Sequence, residues 1–419
     1  MPSYLDLRTA LQALALLLLI SPPYVKAADS GLSLDEAQRL ALDAQPLLQA
    51  QAAAVQAARD NAVAAAQLPD PKLTGGVTDW PVNGPDRYSL RRDDFTMINV
   101  GVTQDFPRAE KRRLRGQRGE HEAELAEQML TATQLTIRRD AALAWLDVWR
   151  PERALELTRQ SVHEAELQLN ATEIAYTSGR ATQAEVLAAR IALGLLRDDN
   201  ASLEQETVIA RSKLSRWIGG DAAQRLFSAE LPQWAPPAPM EEMLIGLRHH
   251  PHLNTEAQRV AVAEDEVALA RQAYKPDWGV ALSYGYRPDF ADYISMNFSI
   301  DLPVFAGNRQ DRNLGAKLAE RSQIEQSRED VLRQQEAELR VYWEGWQRLR
   351  DRMRQFDADI LPQSGQRVAA ALAAWQAGQG TLTTVLDARR MSLDNRMRRL
   401  QLLVEAAVYR VNLLYFAGE

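Results

Sequence analysis

A turn that is made twice constrains this chain more than any other feature. Residues 176–190 read Tyr-Thr-Ser-Gly-Arg-Ala-Thr-Gln-Ala-Glu-Val-Leu-Ala-Ala-Arg, and residues 375–389 read Trp-Gln-Ala-Gly-Gln-Gly-Thr-Leu-Thr-Thr-Val-Leu-Asp-Ala-Arg. Gly179 aligns with Gly378, Thr182 with Thr381, Val186-Leu187 with Val385-Leu386 and Arg190 with Arg389, all at one offset, 378 − 179 = 199. A Gly free to enter the left-handed region ends one helix, and a Thr three residues on caps the next. Thr182 and Glu185 also have the spacing of a capping box. Each copy therefore reads as a hairpin tip between two long helices.

The rest of the plan repeats around those tips. Glu36, Pro46 and Pro71 align with Glu241, Pro251 and Pro276 at an offset of 241 − 36 = 205, and Phe106-Pro107 and Gly119 with Leu302-Pro303 and Gly315 at 302 − 106 = 196. The expected first copy spans 28–230, with strands near 72–80 and 95–106 and a tip near 176–187. A proline-rich connector fills 231–240. The second copy spans 241–419, with strands near 278–286 and 293–302 and a tip near 375–386. Between strands and tip, residues 108–178 carry a helical pattern worth roughly 107 Å, with Pro151 as the expected kink. The return helix, 182–217, reaches half that far. The helix before the first strand is expected to stack on its end and fill the other half, which makes an elongated cylinder.

Composition excludes several classes. The chain holds 419 residues with a net charge of −7, which argues against nucleic acid as a partner. It has no cysteine, hence no disulfide, thiolate metal site, thiol catalysis or lipid on an N-terminal cysteine. No nucleophile–base pair, phosphate loop or HExxH-type motif stands out, and no cofactor is expected. Residues 1–27 read as a secretory signal: Arg8, the apolar run 10–20, Pro22-Pro23, then small residues at 25–27. No later stretch is expected to cross a membrane as a helix.

The strands bear on the compartment. Ile294, Met296, Phe298, Ile300 and Leu302 alternate with Ser295, Asn297, Ser299 and Asp301; Trp278, Val280, Leu282, Tyr284 and Tyr286 alternate with Gly279, Ala281, Ser283 and Gly285. Such strands suit a soluble sheet on a core, or a membrane barrel with apolar outside, polar inside and aromatic ends. The flanking helices favour the barrel, because 334–354 is mostly Glu, Gln and Arg and offers little apolar cover. Four strands cannot close. Three copies would give twelve; two or four also give even counts.

The duplicated helix–strand–strand–helix plan and the twin Gly-x-x-Thr-x-x-x-Val-Leu tips resemble the TolC-like outer membrane efflux family, over essentially the whole mature chain. The resemblance implies an α+β membrane protein. Its homotrimer would form a twelve-stranded outer membrane β-barrel, four strands per chain, continued by a long α-helical coiled-coil tunnel in the periplasm. It implies a non-enzymatic exit duct that works with a periplasmic membrane-fusion adaptor and an inner-membrane transporter. Residues 68–73 with 80–85, and 97–111, resemble the heavy-metal, RND-associated branch, which implies metal cations as cargo. The same duct could carry organic compounds or serve type I secretion; outside this class stands a soluble periplasmic coiled-coil scaffold or adaptor.

The resemblance also assigns candidate residues. Gly179, Val186, Leu187, Gly378, Val385 and Leu386 would dock the adaptor as exposed tip residues, the alternative being packing within each hairpin. Asp387, Asp394, Glu185 and Trp375 would form the periplasmic constriction, where rings of carboxylates favour cations. The alternative is a solvated face, with Asp387 paired to Arg390 and Asp394 to Arg398. Thr384 and Trp375 depart from the acid and tyrosine usual in the family. His249, His250 and His252 are the only metal-ligand cluster to consider. Pro251 interrupts it and the matching 44–47 holds no ligands, so a helix-end cluster on the outer wall is preferred and no metal is assigned. Arg108, Lys111, Arg112, Arg113 and Arg115 follow the second strand directly and could meet anionic lipid headgroups at the inner leaflet of the outer membrane, the alternative being a solvated helix start.

Overall fold

The computed structural model describes residues 31–419; the expected signal segment 1–27 lies outside the described residues. Two helices, α1 (Leu34–Ala44) and α2 (Pro46–Ala65), lead to strands β1 (Lys72–Thr78) and β2 (Met97–Phe106). The 69-residue helix α3 (Ala109–Thr177) follows, then α4 (Gln183–Ile218) and a single turn, α5 (Gly220–Ala223). The second copy runs α6 (Met240–Leu247), α7 (Pro251–Gln272), β3 (Trp278–Tyr286), β4 (Tyr293–Ile300), α8 (Gln310–Gln355), α9 (Leu361–Gln376) and α10 (Leu382–Ala417). Three strands are a little shorter than expected: β1 ends at Thr78, β2 starts at Met97 and β4 ends at Ile300.

Proline acts differently in the two copies. Pro151, the expected kink, is buried within α3, and the helix continues past it although proline supplies no N–H to the ladder. The break falls in the second copy, where a π-turn at Phe356–Ile360 separates α8 from α9 just before Pro362. The proline ring would crowd the carbonyl four residues back, at position 358. That residue lies inside the π-turn, whose wider loop relieves the clash.

The four strands form one antiparallel sheet in the order β1-β2-β3-β4. Its register sorts the side chains by face, since directly paired residues point the same way. Leu73, Val102, Leu282 and Met296 form one row, Val100, Tyr284 and Ile294 another, and Phe106, Trp278 and Ile300 a third. Rows of the opposite face are small or polar, such as Thr103, Ala281 and Asn297, or Gly101, Ser283 and Ser295. Among the described residues no helix covers the apolar face: Leu73, Met296, Phe298 and Ile300 are all more than 60% exposed. Among the described residues both outer strands, β1 and β4, keep one unpaired edge.

Helix packing supplies the core. Trp145 is fully buried at the centre of the largest cluster, with Leu146, Val148, Leu214 and Phe227. Its indole N–H donates to the Leu32 carbonyl at 3.0 Å, and that of Trp149 to the Ser228 carbonyl at 3.1 Å. In the second copy Trp343 donates to the Ala238 carbonyl at 3.1 Å. Tryptophan thus pins the crossing connectors in both copies; the offset 343 − 145 = 198 falls between the 196 and 199 of the flanking matches. One expectation needs correction. By length and composition α10 does hold a window apolar enough to cross a membrane, but 61% of that window is buried. Leu402, Ala406, Val411 and Leu413 are spent on the helical core.

The end-to-end stacking of helices is made by a duplicated joint. Gln45, the residue before α2, donates from Nε2 to the Arg216 carbonyl at 3.0 Å, in the last turn of α4. His250, the residue before α7, pairs through Nε2 with the Tyr415 carbonyl at 3.0 Å, in the last turn of α10. Each joint adds a side-chain bond to a carbonyl of the helix's last turn; that of Tyr415 also accepts from the Gly418 amide at 3.0 Å.

Candidate functional site

Two surfaces are candidates: the uncovered face of the sheet and the tip end of the helices. Both tips are left-handed glycine turns, with φ +72° at Gly179 and +69° at Gly378. The Thr182 hydroxyl accepts from the Glu185 amide at 3.3 Å, and the Glu185 carboxylate accepts from the Thr182 amide at 2.8 Å, a complete capping box. That backbone bond holds the Glu185 carboxyl below its usual range. Glu185 is therefore engaged in the cap. In the second tip Thr381 caps Thr384 at 3.3 Å.

The Val-Leu pairs do not share one environment. Val186 (8% exposed) and Val385 (0%) are buried, whereas Leu187 is half exposed and Leu386 is intermediate. This corrects the expected exposure of both valines: they fall on the inner stripe of the hairpin with Ala189 and Ala388, while the next residue turns outwards. Only Leu187 and, in part, Leu386 remain available with the glycine turns. Trp375 is half-buried, and its carbonyl accepts from the Gly378 amide at 3.0 Å.

Beside the tips lies a groove of about 470 Å³ between the two hairpins, lined by Leu195, Val368, Leu386, Asp387 and Leu393 among others. Ion pairs cross it. Arg389 reaches Glu164 on α3 at 2.8 Å, and Arg390 reaches Asp199 on α4 at 2.9 Å. The repeated arginine has thus diverged: Arg190 pairs with Glu173 inside its own hairpin at 2.7 Å, whereas Arg389 ties the second hairpin to the first. Sequence reasoning found the repeat of this arginine but not its role, because the partner lies 225 residues away.

Asp387 and Asp394 share an exposed stripe of α10, as their spacing requires, but basic residues stand between and after them. Asp387, Arg390, Asp394 and Arg398 follow one another along it. Asp394 pairs with Arg390 at 3.3 Å, which corrects the alternative pairings of Asp394 with Arg398 and of Arg390 with Asp387. The stripe is a ladder of alternating charge.

The histidines also differ from expectation. His250 is 2% exposed, inside the helical joint and not on the outer wall. A carbonyl can only accept, so Nε2 carries the proton given to Tyr415. The His252 amide can only donate, so Nδ1 of His250, 3.3 Å away, keeps its lone pair. Burial, with the nearby charges of His252 and Arg139, pushes its pKa down to about 4 against the opposing pull of the Tyr415 carbonyl. Among the described residues no group of three His, Asp or Glu side chains is placed to hold a metal ion.

Comparison with known proteins bears on the first copy and on the fold as a whole. The model of the outer membrane efflux protein family matches residues 38–220. No curated protein matches the chain. Among solved structures, the outer membrane protein VceC of Vibrio cholerae is 20% identical with a TM-score of 0.77, covering 92% of this chain and 96% of that one. The CmeC outer membrane channel of Campylobacter jejuni is 12% identical with a TM-score of 0.79, over 92% and 85% of the two chains. CusC, described for transmembrane channel formation, is 17% identical with a TM-score of 0.76, over 92% of each. The chain has the fold of these outer membrane channels.

Proposed function

We propose that this chain is one protomer of an outer membrane efflux channel, a passive duct and not an enzyme, closed by three copies into a twelve-stranded barrel over a helical periplasmic tunnel. One observation carries the reading: the sheet exposes a continuous apolar face that none of the described residues covers, while both its edges lack partners among them. In water such a sheet aggregates; in a bilayer the face meets lipid and the edges close on neighbouring copies. The family match over 38–220 and the shared fold support it. A soluble periplasmic scaffold would need the same face covered.

The tips, through Gly179, Leu187, Gly378 and Leu386, are the proposed contact with a periplasmic adaptor, which in turn joins an inner-membrane transporter of the RND type. Heavy-metal cations are the proposed cargo. That part rests on the resemblance of residues 68–73, 80–85 and 97–111, because the α10 stripe alternates in charge and does not by itself select cations. Fractionation tests the channel: the protein should stay with outer membranes until detergent releases it, and recovery in the soluble periplasm would sink the reading. Cargo is tested by the tolerance of a deletion strain to copper, silver, zinc, cobalt and cadmium beside dyes and detergents. Sensitivity to organic compounds alone would keep the duct and remove the metals.

A further inference from the structure

We infer that the first turns of α3, with the end of α7, form a seat for the headgroup of an anionic diacyl phospholipid at the helical edge of the barrel. The inference rests on the membrane reading above and adds to it a specific lipid and site. Residues 108–118 hold six cations, Arg108, Lys111, Arg112, Arg113, Arg115 and Arg118, against one acid, Glu110. The matching stretch of the second copy, 304–314, holds two, Arg309 and Arg312. The basic run is therefore not a requirement of the repeated fold.

Structure separates the cations with a local partner from those without. Lys111 is bound to Asp277 at 2.7 Å, Arg113 to Glu110 at 2.7 Å and Arg118 to Glu122 at 3.0 Å. The side chains of Arg112 and Arg115 have no hydrogen-bond or ion-pair partner among the described residues, and the Arg112 Nε is buried without one. Lys275 and Arg271, exposed at the end of α7, are likewise unpaired among the described residues. The Lys111 ammonium, 3.2 Å from the Lys275 carbonyl, shows that the end of α7 reaches the start of α3. Between α2, α3 and α7 lies a recess of about 570 Å³ lined by Lys111, Arg115 and Arg118, with Asn61 and Glu122.

Position selects a lipid over a free anion. The apolar sheet face ends in Phe106 stacked on Trp278, ring centroids 4.3 Å apart, an aromatic ledge of the kind that marks a membrane interface. The basic run starts two residues after Phe106, and Arg112 and Arg115 lie within three helical turns of the ledge, about 14 Å. An apolar wall and an unpaired cationic group, one below the other, match acyl chains and an anionic headgroup. Inorganic phosphate would use only the second. Each cation near an anionic surface contributes about fivefold in binding.

The test uses the assembled protein, purified in detergent and reconstituted into vesicles of phosphatidylcholine alone or with one-fifth phosphatidylglycerol, followed by extraction and native mass spectrometry of retained lipid. The protein should retain phosphatidylglycerol well above its share of the bilayer. Arg112→Gln with Arg115→Gln should remove most of that enrichment, while Arg333→Gln, distant along α8, should leave it. Equal retention of both lipids by wild type and double variant, with normal insertion, overturns the seat and spares the channel. Displacement by millimolar inorganic phosphate overturns the lipid assignment in favour of an anion site. Failure to insert into either vesicle overturns both readings. A thermal melt of the double variant, expected to match wild type, shows that lost enrichment is not lost folding.

Discussion

Gln45 and His250 hold equivalent places in the two copies and make the same bond, each passing a side-chain N–H to a carbonyl in the last turn of the stacked tip helix. The offsets agree with the repeat: 250 − 45 = 205 for the donors and 415 − 216 = 199 for the acceptors. One joint uses an amide that never titrates; the other uses an imidazole that does.

The second joint should therefore weaken in acid. With a folded pKa near 4 against 6.5 in the unfolded chain, His250 costs nothing above pH 6.5, where both states are neutral. As pH falls from 6.5 towards 4, the unfolded chain binds a proton that the folded chain refuses, and stability is lost by about 2 kcal/mol at pH 5. His250→Gln copies the first joint. Melting in detergent at pH 7.5 and 5.0 should show a smaller acid loss in the variant than in wild type; equal losses would remove His250 as the cause.

Two glycines that align between copies should respond in opposite ways. A Cβ at Gly119 would lie 2.6 Å from the Ala62 Cα, where α2 crosses α3, whereas Gly315 has nothing within 4 Å. Gly119→Ala should destabilise by about 1–3 kcal/mol through overpacking. Gly315→Ala, in an open helical position, should stabilise by about 0.5–1 kcal/mol. Paired thermal melts decide, and a fall for both would mean that position 315 is covered in the assembly.

Neighbouring positions on β4 should differ just as sharply. Phe298 lies on the apolar face, and Asn297 on the polar one. Phe298→Arg should block stable insertion, at a cost of about 2–4 kcal/mol near mid-bilayer. Asn297→Arg should insert and reach the outer membrane fraction. If the two variants fractionate alike, the assignment of faces is wrong.

At the tips, stability and function should separate. Val385→Ala opens a buried site and should cost about 2 kcal/mol. Leu187→Asp with Leu386→Asp changes surface side chains; resistance of a complemented strain should fall while the melting temperature holds. Resistance that survives the double substitution would place the adaptor contact elsewhere.

What the sequence showed depended on the range of the interactions. The glycine turns, the capping box and the strand faces are set by residues a few positions apart, and those were legible. Pro151 lies within a helix that continues past it, whereas Pro362 follows a π-turn, and no local pattern separates the two prolines. Val186 and Val385 were read as exposed because a tip looks like surface, yet the inner stripe of a hairpin persists to its last turn. The bond from Arg389 to Glu164 and the joint at His250 cross 225 and 165 residues, beyond any local pattern. The second joint could still have been found, since Pro46 and Pro251 had already set Gln45 beside His250.

In the proposed three-copy barrel, the edges that β1 and β4 leave unpaired among the described residues make membrane entry a collective act. A lone chain has no closed form to adopt, so it must wait for its neighbours, and scarcity delays insertion steeply. The ring also inherits the faults of every member. If half the chains carried a spoiled edge, only about one ring in eight would be drawn wholly from sound copies. Damage confined to one strand edge would then act dominantly over an intact gene, whereas damage that prevents a chain from folding at all would stay recessive.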